Sequence, residues 1–196
     1  MANVQPILYT IGHSTHSLEK FIALLKQQGI TALCDVRSKP YSCMNPQFNR
    51  ENLKRSLREN GIAYIFLGKE LGARSENPSY YVCGKVQYDR LARSALFQKG
   101  INRVRSGMRD FRLALMCAEK DPLECHRTIL VTRYLDALQI AVEHILEDGN
   151  LESHGKALSR LLRQLHLPKQ DLFRSCEEVI EEAYRIQGER IAYDKS

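Results

Sequence analysis

Short apolar runs alternate along the chain with longer stretches in which apolar residues recur every three or four positions. Residues 7–11, 31–36, 62–67, 111–116 and 140–145 have strand length and strand composition. After the first run, Ser17 is placed to cap a helix whose inner face is Leu18, Phe21, Ile22, Leu24 and Leu25, and Gly29 stops it. Lys20 stands where a capping box would need Glu or Gln. Asn49 opens a second helix through Leu57, with Leu53 and Leu57 on one side and Gly61 at its end. Near Gln87 the helical pattern resumes, predicting Leu91, Ala95 and Leu96 inward and Arg90 and Arg93 outward. A further short helix covers 99–106, and another covers 128–138.

Strands and helices in this order predict an α/β fold: a mostly parallel sheet of about five strands with helices on both faces, the 140–145 strand at its edge. The α/β domain spans residues 6–148, and residues 149–196 form a C-terminal helical extension. In that extension Leu158, Leu161, Leu162 and Leu165 mark one amphipathic helix, and Cys176, Val179, Ile180 and Ala183 mark another that begins acidic. Their apolar stripes pack on the sheet or on a second copy, so a homodimer is an open expectation. Residues 68–86 read as irregular. A loop of that length in a small domain points to binding, with Lys69, Arg74, Tyr80 and Tyr81 as its working residues.

Composition narrows the class. With 196 residues, 43% hydrophobic and six prolines, the chain can bury one substantial core. It has no apolar run of membrane-spanning length and no signal-type leader, so a cytoplasmic protein without a membrane partner is expected. The six cysteines, at 34, 43, 83, 117, 125 and 176, contain no CxxC pair, which argues for reduced thiols rather than disulfides or zinc. His13, Cys117, Cys125 and His126 would make a zinc-type donor set, but adjacent Cys125 and His126 are an awkward chelating pair; no metal is assigned. The Gly12-His13-Ser14 turn lacks the repeated glycines of a dinucleotide fingerprint, and no cofactor is expected. Charge is uneven: residues 37–109 hold 15 basic and five acidic side chains, +10 net within a chain of +6. Such a segment attracts phosphates or another polyanion, or is simply a solvated basic surface.

Chemistry concentrates at three predicted strand ends, which hold His13 with Ser14, Asp35 with Arg37, and Cys117 and Glu119 followed by Cys125, His126 and Arg127. In open α/β sheets that edge is where ligands bind. Cys125, near a predicted helix start and two residues before Arg127, is the candidate nucleophile, its alternative being a small buried residue in a tight turn. His13, Asp35 and Glu119 complete the catalytic set as proton carriers. Arg37 and Arg127, with Ser14, Lys69 and Tyr80, form the candidate anion-binding set, although a buried Asp35–Arg37 pair tying loops together fits the same residues. Cys117-x7-Cys125 is not the Cys-x5-Arg loop of cysteine phosphatases.

Thr10-Ile11-Gly12-His13-Ser14, Asp35-Val36-Arg37-Ser38-Lys39-Pro40, Met116-Cys117-Ala118-Glu119 and Cys125-His126-Arg127 resemble the signature segments of the uncharacterised family called domain of unknown function 488, over about residues 7–148. The resemblance implies a cytoplasmic α/β protein and no established activity. On the residues themselves, the leading expectation is an enzyme acting on a phosphate-bearing nucleotide or nucleic-acid component through a Cys/His/Arg/Asp rim. Its partner would be a phosphorylated small molecule or single-stranded nucleic acid. The alternative is a non-catalytic nucleic-acid-binding or small-anion-sensing protein, resting on the basic segment and its aromatics Tyr41, Phe48, Tyr64, Phe66, Tyr80, Tyr81 and Tyr88.

Overall fold

Side-chain alternation along the strands sets the layering of the computed structural model, which describes residues 6–169 and 173–195. The first elements are β1 (Leu8–Gly12), α1 (Leu18–Gln27), β2 (Ala32–Asp35), α2 (Arg50–Glu59) and β3 (Ala63–Phe66). Next come α3 (Gly68–Leu71), the two-residue strands β4 (Tyr81–Val82) and β5 (Lys85–Val86), α4 (Tyr88–Ala92) and α5 (Ala95–Gly107). The last are β6 (Leu113–Cys117), α6 (Arg133–Asp136), β7 (Val142–Ile145), β8 (Leu151–Ser153), α7 (His154–Gln164) and α8 (Cys176–Ile191). The main sheet runs β3-β2-β6-β1-β7-β8, parallel except for β8. Tyr9, Ile11, Leu33, Ala114 and Met116 point to one face, against α1 and α2. Their neighbours Leu8, Cys34, Leu113, Leu115 and Cys117 point to the other, which the remaining helices cover.

Local chemistry explains where the elements differ from the sequence expectation. Ser17 caps α1 through the Lys20 N–H (3.2 Å), as expected. Asn49 stands before α2 but spends its side chain on the Ser42 N–H (2.7 Å), holding the preceding loop instead. Ser94 accepts the Phe97 N–H (3.1 Å) and starts α5 afresh, which resets the helical phase. Phe97, Ile101 and Val104 therefore face the core, and Leu96, expected inward, is 51% exposed. β7 is not the edge strand, because Gly149 at φ +87° turns the chain back into β8.

The C-terminal helices pack within the chain: Leu161 and Leu162 of α7 and Val179, Ala183 and Tyr184 of α8 lie in the second core layer. A buried chain of hydrogen bonds crosses from sheet to extension, from Thr10 Oγ1 to His144 Nδ1 (2.8 Å), His144 Nε2 to His154 Nδ1 (3.2 Å), and His154 Nε2 to the Tyr184 hydroxyl (2.7 Å). Beyond α8 the tail closes on the β4–β5 hairpin, with Val86 N–H donating to the Tyr193 carbonyl and Lys195 N–H to that of Gly84, both at 3.0 Å. The 68–86 segment is thus anchored by α3, a small hairpin and the chain's far end. Among the described residues no helix is long and apolar enough to cross a membrane.

Candidate functional site

Strands β2, β6 and β1 are neighbours, so their carboxyl ends share one stretch of the sheet edge. Between the neighbours β2 and β6 the connections diverge, from β2 toward β3 and from β6 toward β7, which opens a crevice. Past the strands the pairing continues: His13 N–H donates to the Cys117 carbonyl and Ser14 N–H to that of Ala118, both at 2.9 Å. Gly12 permits this approach, since a side chain there would overlap the Glu119 carbonyl. Ser14 takes a left-handed φ of 47°, a conformation that costs a non-glycine residue energy.

One polar cluster forms where β2 ends. The Asp35 carboxylate, fully buried, receives Arg37 Nε (2.9 Å), Arg37 Nη2 (2.7 Å), the Arg37 N–H (3.1 Å) and the Tyr64 hydroxyl (2.8 Å). Arg37 also donates to the Phe48 carbonyl (2.9 Å) and to His13 Nε2 (3.2 Å). A guanidinium only donates, so His13 Nε2 accepts, and its proton sits on Nδ1, where it reaches the Ser14 carbonyl (2.9 Å). His13 stacks on Phe48 with ring centroids 4.4 Å apart. Burial, reinforced by the Arg37 charge, pushes its pKa down to about 4 despite the Ser14 carbonyl.

A second cluster forms where β6 ends. Cys117 closes the strand, and the loop after it returns Cys125 and His126 beneath it. The loop is held from several sides. Asp121 caps its short 3-10 turn through the Leu123 N–H (2.9 Å) and is gripped by Arg160 of α7 at 2.7 and 3.0 Å. Gln187 of α8 donates to the Leu123 carbonyl (3.0 Å) and to Glu124 (3.1 Å). Arg127 donates to the carbonyls of Glu119 (2.6 Å) and Lys120 (3.2 Å). The helix expected from residue 128 begins instead as a wide π-helical turn, Arg127–Thr132, before α6. Such turns often mark functional sites.

Within this frame the donor atoms of Cys117, Glu119, Cys125 and His126 all lie within 4.8 Å of one another. Cys117 Sγ is 3.6 Å and Cys125 Sγ 4.0 Å from His126 Nδ1, and Cys125 Sγ is 2.9 Å from Glu119 Oε2. His126 Nε2 donates to the Val36 carbonyl (3.1 Å), and the Arg127 N–H points at Cys125 Sγ (3.4 Å). Burial alone would raise the Cys125 thiol, but hydrogen bonding from Cys117 and the charges of Arg127 and His126 outweigh it and bring it to about 6. Burial and the neighbouring Cys125 push Cys117 well up. Burial opposes ionisation of Glu119 too, yet the thiol donors hold it at about 2. His126 is raised by Cys125 and Glu119 against the effect of burial.

A pocket of about 400 Å³ opens above this cluster. Cys117, Glu119 and His126 reach it, as do His13 and Arg37, joined by Lys39, Arg74, Tyr41, Tyr88 and the tail residue Tyr193. Sequence reading did not single out Lys39 or Tyr193 as site residues; the first looked like part of a motif, and the second is brought in only by long-range pairing of the tail. Other candidates lie elsewhere. Cys125 is fully buried behind Cys117, Asp35 is fully buried, Arg127 is committed to loop carbonyls, and Ser14, Lys69 and Tyr80 do not line the pocket.

In comparisons with known proteins, the family described as Domain of unknown function DUF488 matches residues 17–134, well over half of the 196-residue chain. The chain belongs to this family. The DUF488 match takes in the Asp35–Pro40 segment and both cysteine segments, and begins after His13. No curated protein and no solved structure matches the chain. DUF488 membership brings no activity with it, so a functional reading rests on the geometry.

Proposed function

We propose that the protein is an enzyme acting on a small phosphate-bearing molecule of the nucleotide kind, bound in the pocket above the Cys/Glu/His cluster. The observation that carries this reading is the make-up of the pocket: two exposed cations, Lys39 and Arg74, and three tyrosines surround the cluster's open side. A volume of about 400 Å³ is in the range of small-molecule sites. In this reading Lys39 and Arg74 hold the phosphate, the tyrosines take the apolar part, and Glu119, the cluster's exposed member, moves a proton for a hydrolysis or group transfer. Cys117, the sulfur that lines the pocket, faces the bound molecule. His13, Asp35 and Arg37, whose hydrogen-bonding groups are already engaged with one another, position the loops.

An extended nucleic-acid strand suits the surface less well. Of the aromatics in the basic segment, Phe48 is buried, Tyr64 is bonded to Asp35, and Tyr81 donates to the Ser75 carbonyl (2.7 Å).

The test is calorimetric titration at low salt with nucleoside monophosphates, the parent nucleosides and a short single-stranded oligonucleotide. The expected result is binding of a monophosphate, with the nucleoside and the oligonucleotide weaker, and a loss of about tenfold or more in Lys39→Ala or Arg74→Ala. A nucleoside binding as well as its phosphate, or no binding of any phosphate, would overturn the proposal.

A further inference from the structure

We infer that Cys117, Cys125 and His126, with Glu119 as the fourth and exchangeable ligand, form a binding site for a divalent zinc-class metal ion. The inference stands on the four side chains and goes beyond the substrate reading above.

Four observations converge. First, the donor set of two thiolates, an imidazole and a carboxylate is one that zinc favours. Second, the spacing fits. Zinc–ligand bonds of ordinary length put tetrahedral donor atoms about 3.3–3.8 Å apart. Here the Cys117–His126 separation is 3.6 Å, the Cys125–His126 separation 4.0 Å and the Cys125–Glu119 separation 2.9 Å, all within a 4.8 Å cluster. Changes of up to about 1 Å in these separations convert one arrangement to the other.

Third, the surroundings are those of a ligand set. His126 Nε2–H is tied to the Val36 carbonyl at 3.1 Å, which aims Nδ1 at the sulfurs. An outer hydrogen bond of this kind is what metal-bound histidines nearly always make. The Arg127 N–H is directed at Cys125 Sγ, as a thiolate would be. Fourth, the cluster brings groups that ionise as anions against one another, and a cation between them removes the repulsion.

The adjacency of Cys125 and His126, awkward on paper, is resolved by the backbone. Cys125 is extended (φ −139°, ψ 137°) and His126 helical (φ −59°, ψ −24°), so the turn between them brings both side chains to the same side. Cys117, Cys125 and His126 are buried while Glu119 is exposed at the pocket. Three deep ligands and one that can leave describe a metal with a position open to water or substrate rather than a closed structural site.

The test uses the full chain on a Cys43→Ser, Cys83→Ser, Cys176→Ser background, which removes the exposed thiols that could bind metal on their own. The protein is stripped with chelator under reducing conditions, reloaded with zinc and its metal counted by mass spectrometry, without any phosphorylated ligand. One zinc per chain is expected. Binding should weaken by about 100-fold or more in Cys125→Ser and His126→Gln, and less in Glu119→Gln. Because the buried variants could misfold, cobalt loading of the unaltered site gives a second readout, in which thiolate-to-cobalt charge-transfer absorption is expected. A folded protein that binds no zinc and gives no such absorption overturns the inference, as does zinc binding that survives both Cys125→Ser and His126→Gln. Nucleotide titration of stripped and loaded protein keeps the two proposals separate. Phosphate binding by a folded protein that takes up no zinc sinks only this inference, and zinc binding without phosphate binding sinks only the substrate reading.

Discussion

The polar clusters at the ends of β2 and β6 lie side by side and differ in how their valences are filled. Around Asp35, Arg37, Tyr64 and His13, each charge meets an opposite charge or a dipole, and Arg37 uses its donors on Asp35, the Phe48 carbonyl and His13. Around Cys117, Glu119, Cys125 and His126, acidic groups face one another and the open side gives onto the pocket. A closed cluster of this kind holds loops in place. An open one can take up something from outside, and for that reason the proposed binding and chemistry are assigned to it. Both contain residues that sequence inspection would place in a catalytic set, and only the partners of each atom separate them.

The largest expected effect comes from breaking the closed cluster. Arg37→Ala leaves the Asp35 carboxylate buried without its ion pair, which should cost about 3–5 kcal/mol of folding stability in urea unfolding. Arg37→Lys should recover only part of this, because an ammonium cannot make the two-pronged contact. A smaller loss is expected for Tyr64→Phe, which deletes one hydrogen bond to a charged group: about 1.5–3 kcal/mol.

The buried chain Thr10–His144–His154–Tyr184 is a third cluster, closed and without charge, and pH probes it. Burial holds His144 well below the ordinary histidine range, with His154, Arg127 and Arg160 adding to the effect, and burial also lowers His154. Below pH about 6.5 the unfolded chain therefore binds protons that the folded chain refuses. Stability is complete above that pH and falls as pH drops, by about 1.4 kcal/mol per pH unit for each such histidine. His154→Gln should flatten the slope between pH 6.5 and 5.5, two pH values bracketing the onset of protonation of an ordinary histidine of pKa about 6.5. An unchanged slope would mean that the chain is not what titrates.

The smallest stability effect belongs to the pocket's exposed cations. Lys39→Ala should leave unfolding within about 0.5 kcal/mol of the parent while weakening phosphate binding. A large stability loss there would show that Lys39 holds the fold together.

Much of the fold is legible in the sequence because one force writes it locally. Leu33, Ala114 and Met116 alternate with Cys34, Leu113 and Leu115, and that period places the strands and both core layers. What escapes is phase and distance. Ser94 restarts a helix and turns Leu96 outward, and nothing near Gly149 announces that β8 will cover β7. The pairing of Lys195 with Gly84 carries Tyr193 to the pocket across more than half the chain, beyond any local pattern. The rim itself was readable as three strand ends. The division between them was not, because Asp35 and Glu119 look alike until their neighbours are known.

The central claim is that the β2 cluster holds and the β6 cluster binds. Glu119→Gln and Tyr64→Phe, two near-isosteric changes, test it in one experiment that measures urea unfolding and zinc affinity of each side by side. Tyr64→Phe should lower stability by about 1.5–3 kcal/mol and leave zinc affinity unchanged, whereas Glu119→Gln should weaken zinc binding by about tenfold or more and shift stability of the metal-free protein by less than about 1 kcal/mol. If both variants lose stability alike and neither alters zinc binding, the two clusters are the same kind of structure and the account is wrong.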